Sequence, residues 1–544
     1  MLASLRTAGY LHGGFMNAPQ LPERPDLEQL KRQAKDLLRD AKTRNGDALA
    51  RFRKLPAYAR QSDDAIAESA ALHDAHSVIA RELGFASWKE LVERVEELTL
   101  EFGAAVDQFI RAATEVQPDR ANRLLQLHPR IANANVYTAL LLGDVRQVES
   151  HLAQRPNLAT DAGGPREWPA LLYLCHTNLR FGSATRGDGI VACARLLLER
   201  GADPNSRFPW LHHGVRRAAL WGAVLVAGHL PLAEVLLEAG AEPNDGVTLP
   251  IAASGGDIAA LELLLAHGAD VNQSWASDGS ATLYAIMTWS DTPDGVRWLL
   301  EHGANPDPVF ATNGETPLHL AARRWDAAMV EALVNRGADA TRRRADGRTP
   351  YAVAALSGNE EVVEWFTRHG ASTELPDVDR FVAACSRGDL ATAETLARTH
   401  PHLRTKIGPE HYSAFFRAAE RGDGRTLETM LACGFDPNHG DEEIGKTALH
   451  EASKEGRLEA VRVLLAHGAS VDTRDREFHA QPLVWAAEGM RSNGARGRDY
   501  PAVGRLLLEA GSPVEWEAGE EPSESIRDVI EEWRRAASAA GAKV

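Results

Sequence analysis

The sequence predicts an all-α solenoid of about twelve helix-turn-helix units, preceded by a small helical domain. A phrase such as LLLERGADPN recurs along the chain, and each copy carries a glycine at the end of a predicted helix. Most successive glycines lie about 33 residues apart, at Gly201, Gly240, Gly268, Gly303, Gly337, Gly370, Gly434, Gly468 and Gly511. This period replaces the three or four separate domains that 544 residues would otherwise suggest.

A second phrase fixes the register of the units. TPLHLAA begins at Thr316, TPYAVAA at Thr349 and TALHEAS at Thr447, and each starts 21 residues before one of the glycines. The same offset relates Ser413 and Val247 to the glycines that follow them. Two phrases that keep one offset across five units are not expected by chance, so the units share one architecture.

Each part of the unit has a stereochemical reason. Thr316 and Pro317 suit the N-cap and the first position of a helix. Apolar residues spaced three and four apart then give each of two helices one buried face. Gly337 stands where the second helix needs a left-handed C-cap, a conformation that glycine adopts without steric cost.

These phrases resemble the ankyrin repeat family, whose unit is about 33 residues long and opens with T-P-L-H-x-A. The resemblance implies two antiparallel helices and a protruding loop in each unit. It also implies protein or peptide partners, which in this family commonly contact the loop tips and the inner first helices. The segment AHSVIARELGFASWKELVERVE resembles a helical segment that precedes ankyrin arrays in bacterial proteins.

The pattern divides the chain into four parts. We expect a disordered or mis-started N-terminus over 1–20, with translation beginning at Met1 or Met16, and a helical N-terminal domain over 21–102. The repeat array is expected over 103–516, with degenerate units near 104–160 and 376–402 that lack the terminal glycine. A C-terminal capping helix is expected over 517–544, because a solenoid needs a polar-backed end.

The N-terminal segment has its own helix signals and a local positive charge. Asp26 suits the N-cap of a first helix, Gly84 ends a second, and Ser87 with Glu90 forms a capping box for a third. Between Arg24 and Arg60 there are eleven basic and five acidic side chains. This pattern is typical of a solvated helix face, and contact with a nucleic acid or an acidic partner is the alternative.

The C-terminal end has the opposite charge. Nine acidic residues and one arginine lie between Glu509 and Glu532. The helix predicted from Ser525 places Ile526, Val529, Ile530 and Trp533 on one face. The pattern favours a capping helix, and a binding tail is the alternative.

Composition excludes several classes of protein. The net charge of −16 disfavours nucleic acid as a partner of the whole chain. Four cysteines without a C-x-x-C pair support neither a disulfide framework nor a zinc site. The longest apolar stretch, near 218–228, is far shorter than the 18 or so residues of a membrane span. We therefore expect a monomeric protein of the cytoplasm that contacts no membrane.

One segment matches a nucleotide-binding motif by letters alone. Residues 440–447, GDEEIGKT, fit the expression G-x-x-x-x-G-K-[ST], but three of the intervening residues are carboxylates that would repel phosphate. The segment also follows a helix end and leads into a repeat, whereas a phosphate loop follows a strand. With no catalytic or metal-ligating motif elsewhere, the sequence predicts a protein that is not an enzyme and uses no cofactor and no metal.

Candidate partner-binding residues are those that depart from the consensus in the loops. Aromatic and arginine side chains are favoured anchors at interfaces. The candidates are Arg166, Trp168, Phe208, Trp210, Trp275, Phe310, Arg342, Arg343, Arg344 and Arg348. Trp221, Trp289 and Trp485 fall within first helices and are expected in the core or the groove.

Two functions fit these observations. The first is a non-enzymatic scaffold that binds protein or peptide partners through its concave face and loop tips. The alternative is a regulatory protein whose N-terminal helices contact nucleic acid or another acidic ligand while the array recruits a partner.

Overall fold

The computed structural model describes residues 21, 25–115, 117–179, 184–209, 216–290, 292–493, 497–514 and 530. Phe310 ends one compact unit and Ala311 begins the other, and each is described by itself. The N-terminus expected over 1–20 and, apart from Ile530, the capping helix expected over 517–544 lie outside the described residues. Ile530 is helical and is buried in the same apolar cluster as Val503 and Leu507.

Five helices of the described residues precede the array. They are α1 (Leu27–Lys42), α2 (Gly46–Phe52), α3 (Asp63–Ser69), α4 (Leu72–Glu82) and α5 (Trp88–Thr99), with a 3-10 turn at Pro56–Tyr58. Their apolar faces enclose a core that includes Phe52, Ile66 and Leu91. The three predicted helices are confirmed. The domain boundary at 102 stays a prediction.

The predicted caps of these helices form, with one difference. Asp26 accepts hydrogen bonds from the backbone N–H groups of Glu28 and Gln29. Ser87 accepts from the N–H of Glu90, as a capping box requires. The Glu90 carboxylate, however, accepts from the N–H of Ala86 at 2.9 Å, one residue before the cap.

The described residues contain twelve helix pairs, as the period predicts. The first six are α6 (Phe102–Thr114) with α7 (Pro118–Leu127), α8 (Val136–Leu142) with α9 (Val145–Gln154), α10 (Ala170–Cys175) with α11 (Ala184–Glu199), α12 (Ala219–Trp221, continued as a π-helix over Gly222–Val226) with α13 (Leu230–Glu238), α14 (Thr248–Ser254) with α15 (Ile258–Ala266), and α16 (Thr282–Trp289) with α17 (Pro293–Glu301). The other six are α18 (Pro317–Arg324) with α19 (Ala327–Asn335), α20 (Pro350–Leu356) with α21 (Glu360–Arg368), α22 (Asp377–Ser386) with α23 (Leu390–Thr399), α24 (Ser413–Arg421) with α25 (Gly424–Ala432), α26 (Ala448–Lys454) with α27 (Leu458–Ala466), and α28 (Pro482–Asn493) with α29 (Tyr500–Glu509).

Glycine ends the second helix of most pairs, as predicted. All nine glycines of the recurring phrase have positive φ, for example 101° at Gly337 and 103° at Gly434. A side chain at such a position would be strained, which explains why the phrase keeps a glycine there.

The degenerate units end their second helices with proline. His128, Arg155 and His400 each precede a proline and have non-helical backbone conformations, with φ between −127° and −140° and ψ between 72° and 86°. Proline disfavours the helical conformation of the residue before it, so it stops the helix where no glycine is present. A 3-10 helix follows in each case, at Pro129–Asn133, Pro156–Ala159 and Pro401–Lys406.

The structure adds two short strand pairs to the predicted helices. Strands β1 (Ala162–Gly163) and β2 (Trp168–Pro169) are antiparallel, as are β3 (Arg207–Pro209) and β4 (Arg216–Ala218). Both pairs lie in loops that lead into a first helix. They hold Trp168 and Phe208, two of the predicted partner-binding residues, on regular backbone.

Asparagine side chains join consecutive loops. The Asn244 amide donates to the carbonyl of Gly268 at 3.2 Å, and its oxygen accepts from the N–H of Asp270 at 2.6 Å. The same two hydrogen bonds reach from Asn205, Asn272 and Asn438 into the loop that follows each of them. A neutral side chain thereby satisfies two backbone groups of the neighbouring repeat.

Candidate partner-binding surfaces

Trp168 and Phe208 stack on each other between the two strand pairs. Their ring centroids are 4.3 Å apart and the rings are inclined by 29°. The guanidinium of Arg166 lies 5.1 Å above the Trp168 ring. Arg166 also donates to the Thr114 hydroxyl at 2.7 Å and pairs with the Glu115 carboxylate. The structure thus brings three predicted residues together and engages each of them internally.

A buried histidine lies beneath this pair. The ring of His176 contacts both Trp168 and Phe208, and its Nδ1–H donates to the carbonyl of Leu172 at 3.0 Å. Burial lowers the pKa of His176 to about 3, so the ring is neutral at pH 7. A Cβ on Gly222 would come within 2.5 Å of this ring, which explains the glycine at the start of the π-helix. His176 therefore acts as a core residue. Trp210, predicted in the same loop, lies outside the described residues.

The predicted Trp275 lies on a half-exposed apolar surface. Trp275, Leu225, Val226 and Ile251 pack against a small cluster that includes the buried Trp221. Trp289 lies 5.8 Å from Trp275 between ring centroids and is 42% exposed. We call Leu225, Val226, Ile251, Trp275 and Trp289 the tryptophan surface. Except for Trp275, its members lie on the first helices of three consecutive units.

The sequence predicts Trp289 in the core or the groove, and not among the partner-binding residues. Its exposure distinguishes it from Trp221, which is 5% exposed in the corresponding helix of another unit. The sequence signal was present, because Trp289 ends its helix and is followed by the polar residues Ser290 and Asp291. Phe310, in contrast, stacks on the buried Tyr284 at 4.8 Å with an angle of 12°. Its packing anchors the loop that contains it.

The arginine-rich loop divides into engaged and exposed side chains. Arg344 pairs with the buried carboxylate of Glu315 at 2.9 Å. Arg348 donates two hydrogen bonds to Asp379, at 2.9 and 3.0 Å, and both side chains are almost fully buried. Arg342 is partly buried and Arg343 is exposed, with its guanidinium donating to the carbonyl of Gly347. Partner binding by this loop stays a prediction.

The charges of this loop shift the acidity of its carboxylates. Burial alone would raise the pKa of Asp346, but hydrogen bonds and the charges of Arg344 and Arg348 lower it to about 2. Burial is likewise outweighed at Asp379, where hydrogen bonds from His411 and Arg348 lower the pKa. These carboxylates remain ionised at neutral pH, so the ion pairs are maintained.

The segment that resembles a phosphate loop uses its own polar groups. The Asp441 carboxylate accepts from the N–H groups of Ile444 and Gly445, at 2.9 and 2.7 Å. The Lys446 ammonium pairs with Glu451 at 2.5 Å. Thr447 begins α26, as it does in the repeat consensus. The groups that a phosphate would need are therefore engaged within the protein.

Many basic side chains of the N-terminal helices have acidic partners. Arg44 pairs with Asp64 at 2.6 Å, and Arg51 pairs with Glu82 at 2.7 Å. These two acidic partners come from 63–82, beyond the segment whose charge appeared positive in the sequence, while others such as Glu28 and Asp36 lie within that segment. This compensation weakens the case for nucleic-acid binding by these helices.

A family model described as ankyrin repeats matches residues 220–310, 283–377 and 381–496, which together cover half of the chain. The chain belongs to the ankyrin repeat family. The matched ankyrin repeats include every unit with a glycine-ended second helix from Gly240 to Gly468. The tryptophan surface and the arginine-rich loop lie within them.

Curated relatives share the repeats over part of their length. The ankyrin repeat and KH domain-containing protein mask-1 of Caenorhabditis elegans is 27% identical over 264 residues, which is 47% of this chain and 10% of that protein. The E3 ubiquitin-protein ligase KEG of Arabidopsis thaliana is 27% identical over 338 residues, or 60% of this chain and 18% of that protein. Protein PhlB of Serratia liquefaciens is 38% identical over 101 residues, or 18% of this chain and 44% of that protein. The chain spans less than half the length of each of these relatives.

The described helices of the ankyrin chain include none that is both long and apolar enough to cross a membrane. Across the same residues, no three metal-ligating side chains come together. The four cysteines, Cys175, Cys193, Cys385 and Cys433, are buried and unpaired, as expected for packing residues.

Proposed function

We propose that the protein is a non-enzymatic ankyrin-repeat scaffold that binds an apolar segment of a partner protein at the tryptophan surface. The observation that carries this proposal is the exposure of Trp289 beside the half-buried Trp275. Inner first helices and loops are the positions at which ankyrin repeats commonly meet partners. The tryptophan surface combines both, since Trp275 comes from a loop and Trp289 from the first helix that follows.

Aromatic surface that is exposed to water is unfavourable in free energy. Trp289, which lies against Trp275, and the partly buried Leu225, Val226 and Ile251 leave apolar surface in water that a partner could cover. Tryptophan loses few rotatable bonds on binding and contributes a large contact area, so it is enriched among residues that dominate binding energy. An apolar side chain of the partner, placed between the two tryptophans, would be removed from water together with them.

Ion pairing and packing support a narrower role for the other candidates. Arg166, Trp168, Phe208 and Phe310 would shape the loops that flank the partner, because each already has a contact within the chain. Arg342 and Arg343 would contribute charge at a loop tip. A non-enzymatic role is supported by the pairing of Lys446 with Glu451 and by the hydrogen bond from the N–H of Gly445 to Asp441, which leave no phosphate cradle in that segment.

The test compares two variants of the full chain. A partner captured by the wild-type protein is purified, and its affinity is measured by calorimetry for wild type, for Trp275→Ala with Trp289→Ala, and for Phe478→Ala. Phe478 is 52% exposed and belongs to the other compact unit, outside the residues of the tryptophan surface, so it is the matched control. We expect the double variant to raise Kd by about a hundredfold and the control to leave it within about twofold. Equal affinities of wild type and double variant would refute the proposal.

We also infer that residues 21–102 form a separate helical domain of the bacterial type and that the protein acts as a monomer in the cytoplasm. The core shared by α1 to α5 supports the domain, and the similarity to PhlB supports a bacterial relationship. Limited proteolysis and light scattering of the full chain test the domain boundary and the monomer directly.

A further inference from the structure

The inner helix α24 carries a guanidinium, that of Arg417, whose attraction to the Glu420 carboxylate involves no direct ion pair. Among the described residues, Arg417 makes no ion pair and no hydrogen bond, and its Nη1 nitrogen is buried. The side chain as a whole is partly buried. A buried donor without an acceptor costs free energy, and a charged one costs more. Such groups are rare in native proteins, so this one requires an explanation.

A second arginine, Arg323, also has a buried nitrogen without a hydrogen-bond acceptor. Arg323, at the end of α18, pairs with the carboxylate of Glu315, yet its Nε nitrogen is buried without an acceptor. The two arginines lie near enough for the charge of Arg323 to act on Arg417. Each of these two arginines therefore has a buried N–H group without an acceptor.

Electrostatics agree with this geometry. Burial, followed by the charges of Arg421 and Arg323, lowers the pKa of Arg417 to about 9. Arg417 remains charged at pH 7 despite its neighbours. The charge of Glu420 offsets part of the repulsion among these arginines, and an acceptor for the buried Nη1 nitrogen would relieve more of it.

The neighbouring carboxylates limit the charge of that anion. Burial and the nearby Glu451 and Glu455 raise the pKa of Glu420, which lies three residues from Arg417 on the same helix. These negative charges would oppose a dianion more strongly than a monoanion. A carboxylate has one charge and two oxygens, which match the paired N–H groups of a guanidinium.

We propose that Arg417 and Arg323 bind the carboxylate of an aspartate or glutamate side chain in a peptide segment of a partner protein. The inference rests on the proposed function, because that function brings a peptide to the inner helices. It goes further in naming the chemistry of a second contact, within the unit that begins at Ala311.

The first experiment identifies the preferred ligand without knowledge of the partner. A displayed library of random 12-residue peptides is selected against full-length wild-type protein, Arg417→Gln and Arg425→Gln. Arg425 is exposed on the next helix, so its replacement removes the same charge without touching the site. We expect wild type and Arg425→Gln to select peptides with aspartate or glutamate at a fixed position, and Arg417→Gln to lose that preference.

The outcomes separate the two proposals. Identical acidic preferences for wild type and Arg417→Gln, or no acidic preference for wild type, overturn the inference about Arg417. If wild type selects apolar peptides that depend on Trp275 and Trp289, the proposed function survives that failure. If wild type selects no peptide at all, both proposals fail.

The second experiment measures the contact itself by fluorescence anisotropy. A selected peptide is prepared with its glutamate, with glutamine and with phosphoserine at that position. We expect glutamine to weaken binding to wild type by about tenfold or more, and to Arg417→Gln by less than about twofold. Tighter binding of the phosphoserine peptide than the glutamate peptide would overturn the choice of a carboxylate.

A stability measurement excludes a merely structural role. Because Arg417 has no partner within the described residues, we expect Arg417→Met to leave Tm unchanged or to raise it. A structural arginine would lower Tm when replaced. A clear fall in Tm with unchanged peptide binding would overturn the proposal.

Discussion

The two compact units join consecutive repeats by different means. Up to Phe310, the amides of Asn205, Asn244 and Asn272 connect one loop to the next through neutral hydrogen bonds. From Ala311 onward, buried ion pairs of Arg344 with Glu315 and of Arg348 with Asp379 join neighbouring repeats, and Asn438 makes the neutral connection. Identical helix geometry thus accepts two kinds of chemistry between repeats.

The inner surfaces of the two units also differ, one being apolar and the other charged. The unit up to Phe310 presents the tryptophan surface, whereas the unit from Ala311 presents Arg323 and Arg417. In the proposed contacts, one surface would gain free energy by excluding water, and the other by acquiring a counter-charge. A partner with apolar and acidic residues in separate segments would suit both.

The largest loss of stability is expected when the ion pair between Arg348 and Asp379 is broken. Arg348→Ala leaves the Asp379 carboxylate, which is 3% exposed, without its bidentate partner. We expect a loss of about 3–5 kcal/mol in the free energy of unfolding, measured with urea. Hydrogen exchange in 377–421 should rise with it. Arg343→Ala in the same loop is the control and should change stability by less than about 0.5 kcal/mol, because Arg343 is exposed. Equal effects of both variants would contradict the account.

A change of pH acts on both units through buried neutral histidines. Burial lowers the pKa of His176 to about 3 and that of His319 to about 4, both below the unfolded value near 6.5. The unfolded state therefore gains protons first as pH falls. Stability is fully present above pH 6.5 and decreases toward pH 4, by about 2 kcal/mol for each histidine at pH 5. Urea unfolding at pH 7 and pH 5 tests this, and equal stabilities would show the expectation wrong.

Removing the neutral hydrogen bonds of an asparagine should lower the free energy of unfolding by a smaller amount. Asn244→Ala removes two hydrogen bonds to the next loop, so we expect a loss of about 1–2 kcal/mol in urea unfolding. Thr341 occupies the corresponding position in another repeat of the second unit. Thr341→Asn should therefore gain up to about 1 kcal/mol. A gain from the alanine variant would contradict the role assigned to the amide.

The smallest effect concerns the stability of the tryptophan surface. Trp289 is 42% exposed, so Trp289→Ala should lower the free energy of unfolding by only about 1 kcal/mol. Trp221→Ala, at a position 5% exposed, should lower it by about 3–5 kcal/mol. Similar losses in thermal unfolding of the two variants would mean that Trp289 is a packing residue.

The sequence predicted the repeats well because their glycines, prolines and threonines have local stereochemical roles. Gly337 and Thr316 could be interpreted from their neighbours alone. The sites were harder to predict, because Arg348 and Arg343 look alike in sequence. Arg348 pairs with a buried carboxylate 31 residues away, whereas the exposed Arg343 donates to a backbone carbonyl four residues away. Arg417 was missed for the same reason. Its distinguishing feature is the lack of an acceptor, which depends on several helices at once.

The central claim is that a partner covers Trp289. The most direct measurement replaces Trp289 with the photoreactive residue p-benzoylphenylalanine in the full chain and irradiates it in its own cells, with the same replacement at Phe478 as the control. We predict one discrete cross-linked partner at position 289, absent at 478 and diminished when Trp275 is also changed to Ala. Cross-linking to the same proteins from both positions, or to none from position 289, would contradict the account.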